Sequence, residues 1–357
     1  MIALIYVHEL INMICKLINS LVGDYLNNDN ILEIYLNGDM GLWVDDLRNG
    51  RYLAKKITDS SLLNNFWDEL KKYSSTDSEF IFEGELPGYN ARIECLYQNL
   101  FCGVSPIIFA IRKHPTRIYT LQDYKDSGAF DIERSVIRSK DDVLSSTQSK
   151  GYRSPMNVIS EFIRARKNIL VVGGTGSGKT TLTNAILNEI AELTPDDRVI
   201  TIEDTPELQL NVKNRLSLKT YLSVDMQILL RCCMRLHPTR ILVGEVRGGE
   251  SYSLLKAWNS GHAGGVATLH ANSASEGLEK LAHYIFEDPV AMSFDQETVG
   301  WMISTSVDMV LVIERTSANK RRVKEICQVK GYSNGKYNLN VLMKQSLTGL
   351  YEFKPQL

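Results

Sequence analysis

The chain has 357 residues, enough for two domains, and its 44% hydrophobic and 23% charged content excludes disordered and collagen-like classes. Its 40 basic and 42 acidic residues leave a formal net charge of −2, whereas a protein that binds nucleic acid usually carries a basic excess. None of the six cysteines forms a CxxC pair, which excludes zinc sites of the usual spacing, and we expect six reduced thiols in a cytosolic protein.

The segment MIALIYVHELINMICKLINSLV is apolar along one side of a helical repeat. His8, Glu9 and Lys16 interrupt it and no basic region precedes it, which argues against a signal peptide or a membrane span. We expect an amphipathic helix that packs on its own domain or on a neighbouring subunit. No later segment is long and apolar enough to cross a bilayer, so membrane association is expected to be peripheral.

Residues 1–116 are predicted to form a smaller α+β domain. The strand-like runs ILEIYLN and GLWVDDL are separated by Gly-Asp, which indicates a hairpin. A helix is predicted at SLLNNFWDELKKYSS, and further strands at FIFEGELPG, ARIECLYQ and PIIFAIRKH. Residues 117–151 are polar and are predicted to form the inter-domain linker, with a short helix near Leu121 to Asp126.

Strands and helices alternate over residues 152–357. Strands are predicted at NILVVGG, RVITIED, RILVGEV and GGVATLHA, and helices at TTLTNAILNEIAEL, DMQILLRCCMRL and ESYSLLKAWNSG. Such alternation predicts an α/β domain with a mostly parallel sheet and helices on both faces. The tail adds strands at DMVLVIER, RVKEICQVK and KYNLNVLM, with a hairpin turn at Asn334–Gly335.

The stretch VVGGTGSGKTTLTNAIL contains the P-loop pattern GxxxxGK[ST] between an apolar strand and an amphipathic helix. Its glycines let several backbone N–H groups converge on one anion, and the helix start adds its unpaired N–H groups and its dipole. Lys179 is expected between the β- and γ-phosphates, and the Thr180 hydroxyl on Mg²⁺. The predicted nucleotide-binding residues are Gly174, Thr175, Gly176, Ser177, Gly178, Lys179, Thr180 and Thr181. The pattern alone does not separate a kinase, a GTPase, a helicase and a motor.

Two of the predicted strands end in acids. RVITIED ends in Glu203 and Asp204, and RILVGEV contains Glu245. Ligands of open parallel sheets bind beyond the carboxyl ends of the strands, which is where these acids lie. Glu203 could orient and deprotonate water and Glu245 could hold Mg²⁺, or the two roles could be exchanged. Each acid could instead cap the helix that follows it.

Two histidines flank a glycine pair and a strand in SGHAGGVATLHANSA. His270 lies at the end of the strand, where a neutral imidazole can donate a hydrogen bond to the γ-phosphate and report its loss. The metal-binding spacings HxxE and HxxxH are absent. A purely structural role is the alternative, and it applies more to His262 than to His270.

Four segments in this order resemble the signatures of the secretion (traffic) ATPases, which are Walker A, Asp box, Walker B with a glutamate, and His box. They are GGTGSGKTTLTNAIL, IEDTPEL, HPTRILVGEVRGGE and SGHAGGVATLHANSA. Within this type II/type IV secretion superfamily the chain is most similar to the TrbB-type conjugal transfer ATPases. The segments EIYLNGDMGLWVDDL, PIIFAIRKHPTRIYTLQDY and LLKAWNSGHAGG carry that similarity. The resemblance extends from about Ile31 to about Lys330.

This resemblance implies a RecA-like P-loop domain at residues 152–357, with the nucleotide held between it and the smaller N-terminal domain. It also implies ATP as substrate, Mg²⁺ as cofactor, and a cytoplasmic homohexamer at the inner face of the inner membrane. The implied partners are inner-membrane components of a secretion or conjugation machine.

Four arginines match positions of that family. Arg112 in FAIRKH and Arg92 in ARIECL are expected to reach the phosphates, although Ile93 replaces the aromatic residue that usually follows Arg92. Arg240 and Arg247 flank the Walker B strand and match arginines at the subunit boundary. The alternative for each is a solvated charge or a salt bridge that holds the fold.

The predicted function is therefore an ATP-hydrolysing motor of a type IV secretion or conjugal DNA transfer system. The candidate catalytic residues are Glu203, Glu245, Lys179, His270 and Arg112, and the candidate metal ligands are Thr180 and Glu245. The alternatives are a type IV or Tad-type pilus assembly or retraction ATPase and, in another class, a nucleic-acid translocase. The negative net charge opposes the last of these, so no direct nucleic-acid binding is expected.

Overall fold

The computed structural model describes residues 2–73, 78–114, 118–130, 154–316 and 320–344. The chain divides into two compact units, Met1–Arg117 and Ile118–Leu357, and each has its own sheet and its own buried core. Most of the predicted linker, residues 131–151, lies outside the described residues.

The first unit contains a six-stranded antiparallel sheet in the order β3-β2-β1-β6-β5-β4. The strands are β1 Ile31–Leu36, β2 Gly41–Asp46, β3 Gly50–Lys56, β4 Ile81–Glu85, β5 Ala91–Tyr97 and β6 Ile107–Lys113, and the helices are α1 Ile2–Leu26 and α2 Ser60–Tyr73. The predicted hairpin, helix and three later strands are confirmed, while β3 was not predicted. Alternate residues of the strands pack against both helices, so the core lies on one face of this sheet.

Helix α1 is amphipathic because its apolar residues recur every three or four positions. Leu10, Ile14, Ile18 and Leu21 are buried in one cluster with Ile34 of β1, which confirms the helix and its packing on its own unit. Among the helices of the described ranges, none combines the length and the apolar content that crossing a bilayer requires.

The second unit contains an eight-stranded sheet in the order β14-β13-β12-β7-β11-β10-β8-β9. The strands are β7 Ile169–Val172, β8 Val199–Glu203, β9 Arg215–Lys219, β10 Arg240–Val243, β11 Val266–Leu269, β12 Met309–Arg315, β13 Arg321–Ser333 and β14 Lys336–Lys344. Strands β7 to β12 pair in parallel, whereas β12, β13 and β14 are antiparallel. Asn334 and Gly335 both have positive φ angles, 52° and 73°, in the β13–β14 turn, as predicted for a hairpin.

Helices cover both faces of this sheet. They are α3 Leu121–Asp126, α4 Pro155–Arg164, α5 Lys179–Leu193, α6 Met226–Cys233, α7 Glu250–Asn259, α8 Ala274–Ile285 and α9 Gln296–Ser306. In β7, Ile169 and Val171 are buried with α3, α4 and α5, while Leu170 and Val172 are buried with α6 to α9. The predicted α/β layering is therefore confirmed, and burial on both faces explains why the central strands consist mostly of apolar residues.

The described start of the predicted linker belongs to the second unit. Helix α3 was predicted at Leu121 to Asp126, and Leu121 and Tyr124 are buried in the same cluster as α5. Thr120 caps this helix by accepting a hydrogen bond from the Asp123 backbone N–H, and the Asp123 side chain accepts one from the Thr120 backbone.

The parallel register brings the predicted functional segments to one edge of the sheet. Strands β7, β8, β10 and β11 run in the same direction, so the residues that follow them all emerge at their carboxyl ends. Those residues are the glycine-rich loop, the acids of the IEDTPEL segment, Glu245 and His270. This edge is where ligands of open α/β sheets bind.

Candidate functional site: a P-loop with two strand-end glutamates

The glycine-rich loop spans residues 173–178, between β7 and α5. Gly176 and Gly178 have φ angles of 69° and 98°, which favour glycine because a side chain is strained there. At Gly173 a Cβ atom would lie 2.4 Å from the carbonyl oxygen of Ile313, so the loop is held tightly against β12. Gly178 caps α5 without a side-chain hydrogen bond, which leaves the first N–H groups of the helix directed at the loop.

The predicted loop residues differ in exposure. Ser177 and Lys179 are buried, Gly174, Gly178, Thr180 and Thr181 are half-buried, and Thr175 and Gly176 are exposed. The loop therefore presents its backbone at an exposed tip, with its lysine held inside.

The Lys179 ammonium group lies within the curve of the loop. Its Nζ donates to the carbonyl oxygens of Gly173 at 3.2 Å and Gly174 at 3.4 Å, and lies 3.2 Å from His270 Nδ1. Glu245 Oε1 lies 3.9 Å from the same Nζ. Lysine, histidine and glutamate, which are far apart in sequence, thus meet beside the loop backbone.

The Glu245 carboxylate is held from two sides. Oε1 lies 2.8 Å from His270 Nε2, and Oε2 accepts a hydrogen bond from Arg247 Nε at 2.8 Å. Burial acts to raise the pKa of Glu245, but Arg247, His270 and Lys179 outweigh burial and the pKa is lowered. Glu245 is therefore ionised at neutral pH.

His270 is neutral at the same pH. Burial and the neighbouring Lys179 charge lower its pKa, and Glu245 only partly opposes them. A neutral ring with its proton on Nε2 donates to Glu245 and accepts from Lys179 at Nδ1, which satisfies both observed contacts. The strand-end histidine of the sequence prediction is thus in contact with the predicted lysine and glutamate.

Glu203 is the other strand-end glutamate, and it is only 3% exposed. Its Oε1 accepts hydrogen bonds from the backbone N–H groups of Glu207 at 2.9 Å and Leu208 at 3.0 Å. Burial raises its pKa to about 7, against the lowering effect of those two N–H groups. A Cβ atom on Gly244 would lie 2.8 Å from Glu203 Cγ, so Glu203 lies against the segment that carries Glu245.

Glu207 is a site residue to which the sequence analysis assigned no role. Its Oε2 accepts a hydrogen bond from Thr180 Oγ1 at 3.0 Å, and its backbone oxygen accepts one from Asn184 Nδ2 at 3.1 Å. The segment after β8 thus folds back onto the first turns of α5. The third acid of EDTPE was the available signal, but only the fold brings it to Thr180.

Arg92 and Arg112 lie in the first unit, on neighbouring strands β5 and β6, and are partners in the register of the sheet. Arg112 Nε lies 3.7 Å from Glu33 Oε1 on β1. The structure therefore brings these two arginines together, and their contact with phosphate stays a prediction.

The prediction that Arg240 serves a subunit boundary is wrong, because its side chain is fully buried inside the second unit. Its guanidinium donates to Asp197 Oδ2 at 2.6 Å and to the carbonyl oxygens of Gly264 and Ile163, both at 2.9 Å. The arginine is a structural cross-link. Arg247, in contrast, is exposed and contacts Glu245 in the site.

His262 is separate from this constellation. Its Nδ1 lies 2.9 Å from the carbonyl oxygen of Pro238, so it connects two loops of the second unit. This contact matches the structural alternative for His262.

Comparisons with known proteins agree with the four-signature resemblance. The family described as "Type II/IV secretion system protein" matches residues 133–347. The chain is 38% identical to the conjugal transfer protein TrbB of Rhizobium radiobacter, over 87% of this chain and 88% of that protein. It is 31% identical to the type IV secretion system protein PtlH of Bordetella pertussis, over 85% of this chain and 91% of PtlH.

A solved structure, the ATPase DotB of Legionella pneumophila, matches with a TM-score of 0.54 at 16% identity, over 85% of this chain and 78% of that one. At that identity the match shows a shared fold. The sequence matches decide the family, since they cover most of both chains. The chain belongs to the type II/IV secretion system protein family and, within it, to the group of the TrbB conjugal transfer proteins.

Proposed function

We propose that this chain is an ATPase that binds ATP at its P-loop. Its strand-end glutamates assist the attack of water that cleaves the bond between the β- and γ-phosphates. The observation that carries the proposal is the convergence of Lys179, His270 and Glu245, joined by contacts of 3.2 Å and 2.8 Å beside the loop. A structural ion-pair network would not require a glycine loop with positive φ angles at a helix N-terminus. Together these features support triphosphate binding.

Glu203 is the residue we propose as the general base. A base is most effective when its pKa lies near the working pH, and burial raises the pKa of Glu203 to about 7. Its Oε1 is fixed by two backbone N–H groups, so its orientation is set before substrate arrives. Glu245, whose pKa is lowered, stays ionised and is the better partner for a cation.

Mg²⁺ fits the oxygen donors at this edge of the sheet. The Thr180 hydroxyl and the Glu207 and Glu245 carboxylates are hard oxygen ligands, the kind that Mg²⁺ prefers. We propose that these three residues hold the ion. Bound there, Mg²⁺ would supply positive charge that offsets the charge developing on the phosphate oxygens.

We propose that Lys179 and His270 bind the γ-phosphate and shift when it is lost. Lys179 now donates to two loop carbonyls, and it can exchange them for phosphate oxygens, which carry more negative charge. His270 contacts both Lys179 and Glu245, so any shift of the lysine reaches the carboxylate through the imidazole. This contact chain links phosphate binding to Arg247 at the exposed end.

At the level of the assembly, we propose a RecA-like ATPase that works as a homohexamer at the cytoplasmic face of the inner membrane. Its relatives TrbB and PtlH are conjugal transfer and type IV secretion proteins, which supports a role in that type of machine. We also propose that Arg92 and Arg112 of the first unit contact the phosphates.

The proposal is tested by an ATPase assay with magnesium on the full chain and on Lys179→Ala. The variant should lose hydrolysis because it removes the ammonium group that lies within the curve of the loop. Lys330→Ala is the matched control, since Lys330 is exposed on β13. Full turnover by Lys179→Ala would refute the assignment of the P-loop.

A further inference from the structure

The β12–β13 hairpin brings two further arginines to the P-loop. Arg315 ends β12 and Arg321 begins β13, and the two are partners in the register of the hairpin. Strand β12 is the parallel neighbour of β7, with Val312 opposite Val172. The last residues of β12 therefore run beside the loop that follows β7.

Arg321 lies directly on the loop backbone. A Cβ atom on Gly178 would be 2.6 Å from Arg321 Cδ and 2.9 Å from its Nε, so the stem and the guanidinium both contact this turn. A Cβ atom on Gly176 would be 3.9 Å from Arg315 Nη1. Two guanidinium groups thus line one side of a loop built to bind an anion.

The guanidinium of Arg321 is incompletely satisfied. Its Nε is one of four buried side-chain polar atoms in the described residues that have no hydrogen-bond partner, and Ser177 Oγ in the same loop is another. A third is Tyr124 Oη, and burial raises the pKa of Tyr124 while the Arg321 charge acts to lower it. Burying an unpaired N–H of a charged group is costly, so such a group calls for a ligand.

The hairpin also concentrates positive charge. Residues 314–324 contain five basic residues, Arg315, Lys320, Arg321, Arg322 and Lys324, and one acid, Glu314. Glu314 is held by Arg322 at 2.5 Å and lies 3.8 Å from Lys324. Glu314 is therefore engaged by its neighbours, and residues 315–324 beside the loop carry only basic charges.

The sheet order separates the two arginines from the strand-end glutamates. Strand β7 has β12 on one side and β11, β10 and β8 on the other. Glu203, Glu245 and His270 all follow strands on the second side, where hydrolysis is proposed. Arg315 ends and Arg321 begins a strand on the first side, so they approach the loop from the side opposite to the two glutamates and His270.

We propose that Arg321, supported by Arg315, binds the α- or β-phosphate of the nucleotide, the part that remains after hydrolysis. A guanidinium can donate two parallel hydrogen bonds to phosphate oxygens, and a contact with a retained phosphate stabilises ATP, ADP and the transition state alike. This inference rests on the proposed ATPase function and assigns a positioning residue to the same site.

Direct binding to the full chain tests it, with a fluorescent ADP analogue as the probe and with pyrophosphate as competitor. Arg321→Ala should weaken both the ADP analogue and pyrophosphate by about tenfold or more, because one charge-assisted hydrogen bond is lost. Arg322→Ala is the matched control: it removes the adjacent arginine, which contacts Glu314, and should change affinity by less than about twofold. Equal affinities of Arg321→Ala and wild type would overturn the inference, as would loss of ADP binding with pyrophosphate binding intact.

Kinetics separate positioning from a structural role. If Arg321 contacts the bound substrate and the transition state equally, its loss weakens ATP binding without slowing the chemical step. KM for ATP should therefore rise in Arg321→Ala while kcat at saturation stays within about threefold. Arg321→Met keeps the apolar stem on Gly178 and should show the same loss with the thermal midpoint of the nucleotide-free protein unchanged. A fall in kcat at unchanged ADP affinity would contradict the inference. Absence of nucleotide binding by wild type would instead contradict the proposed function itself.

Discussion

His270 Nε2 lies 2.8 Å from Glu245 Oε1, and this contact joins the segments that follow neighbouring strands β11 and β10. The same imidazole contacts Lys179 on its other nitrogen. The three side chains therefore form one connected unit, in which the neutral histidine contacts both charged partners.

Replacing His270 with alanine should lower kcat by about a hundredfold, because Glu245 and Lys179 lose the group that orients them. Nucleotide affinity should change little, since the loop backbone and Lys179 remain. Steady-state kinetics and a direct ADP titration measure the two effects. His283→Ala, an exposed histidine of α8, is the control; a loss of affinity at unchanged kcat would contradict the assigned role.

Glu203→Gln should retain ATP binding and lose hydrolysis by about a hundredfold or more, because an amide cannot accept the proton of water. In wild type, kcat should rise as pH increases through about 7, the pKa to which burial raises Glu203, and then level off. A pH–rate profile at saturating ATP measures this. A profile that is flat between pH 6 and pH 8 would move the base role to another residue.

The same pKa makes a prediction about stability. The pKa of Glu203 is higher in the folded protein than in the unfolded chain. Glu203 therefore contributes to the free energy of unfolding at low pH, and this contribution is lost as pH rises through about 7. Glu203→Gln removes this dependence, so its free energy of unfolding relative to wild type should increase by about 1 kcal/mol from pH 6 to pH 8. Urea unfolding without nucleotide at both values tests it; an unchanged difference would mean that Glu203 is not desolvated.

Two arginines contact the same aspartate, one buried and one exposed, so their substitutions compare a buried with an exposed ion pair. Arg240 and Arg166 both lie 2.6 Å from Asp197, but Arg240 is 1% exposed and Arg166 53% exposed. Arg240→Met should lower the free energy of unfolding by about 3–5 kcal/mol because the buried carboxylate of Asp197 loses its buried partner and keeps only the exposed Arg166. Arg166→Ala should lower it by less than about 1 kcal/mol. Denaturant unfolding measures both. Similar losses of stability in the two variants would show that burial does not determine what each ion pair contributes.

Arg112→Ala should slow hydrolysis without unfolding the first unit. Its contact with Glu33 is 3.7 Å long and part-exposed, so its loss should cost the fold under about 1 kcal/mol. Arg51→Ala, in the same sheet and paired with Asp45, is the control. An unchanged ATPase rate would remove Arg112 from the proposed catalytic set.

Local pattern was enough to predict the strands that carry the site. The GxxxxGK[ST] loop, the two strand-end glutamates and His270 each follow a short run of mostly apolar residues, and such runs become central strands of a sheet covered on both faces. Once these strands are parallel, their ends must meet. Strand β3 lacks that signal, because most of its residues are exposed and its apolar residues do not alternate.

The missed contacts depend on partners that only the fold brings together. Thr180 and Glu207 meet because the segment after β8 returns to α5, and Arg240 finds Asp197 across 43 positions of sequence. Arg321 reaches Gly178 from a strand whose register no local pattern specifies. The sequence left open both a subunit boundary and a fold-holding salt bridge for Arg240, and only the buried partner Asp197 decides for the salt bridge.

Calorimetric titration of the full chain with a non-hydrolysable ATP analogue and magnesium tests the central claim, that this P-loop binds a nucleoside triphosphate. Wild type should bind the analogue, and Lys179→Ala should bind it at least about tenfold more weakly, since a charge-assisted contact to phosphate is lost. No uptake by folded wild type, or equal uptake by wild type and Lys179→Ala, would contradict the account.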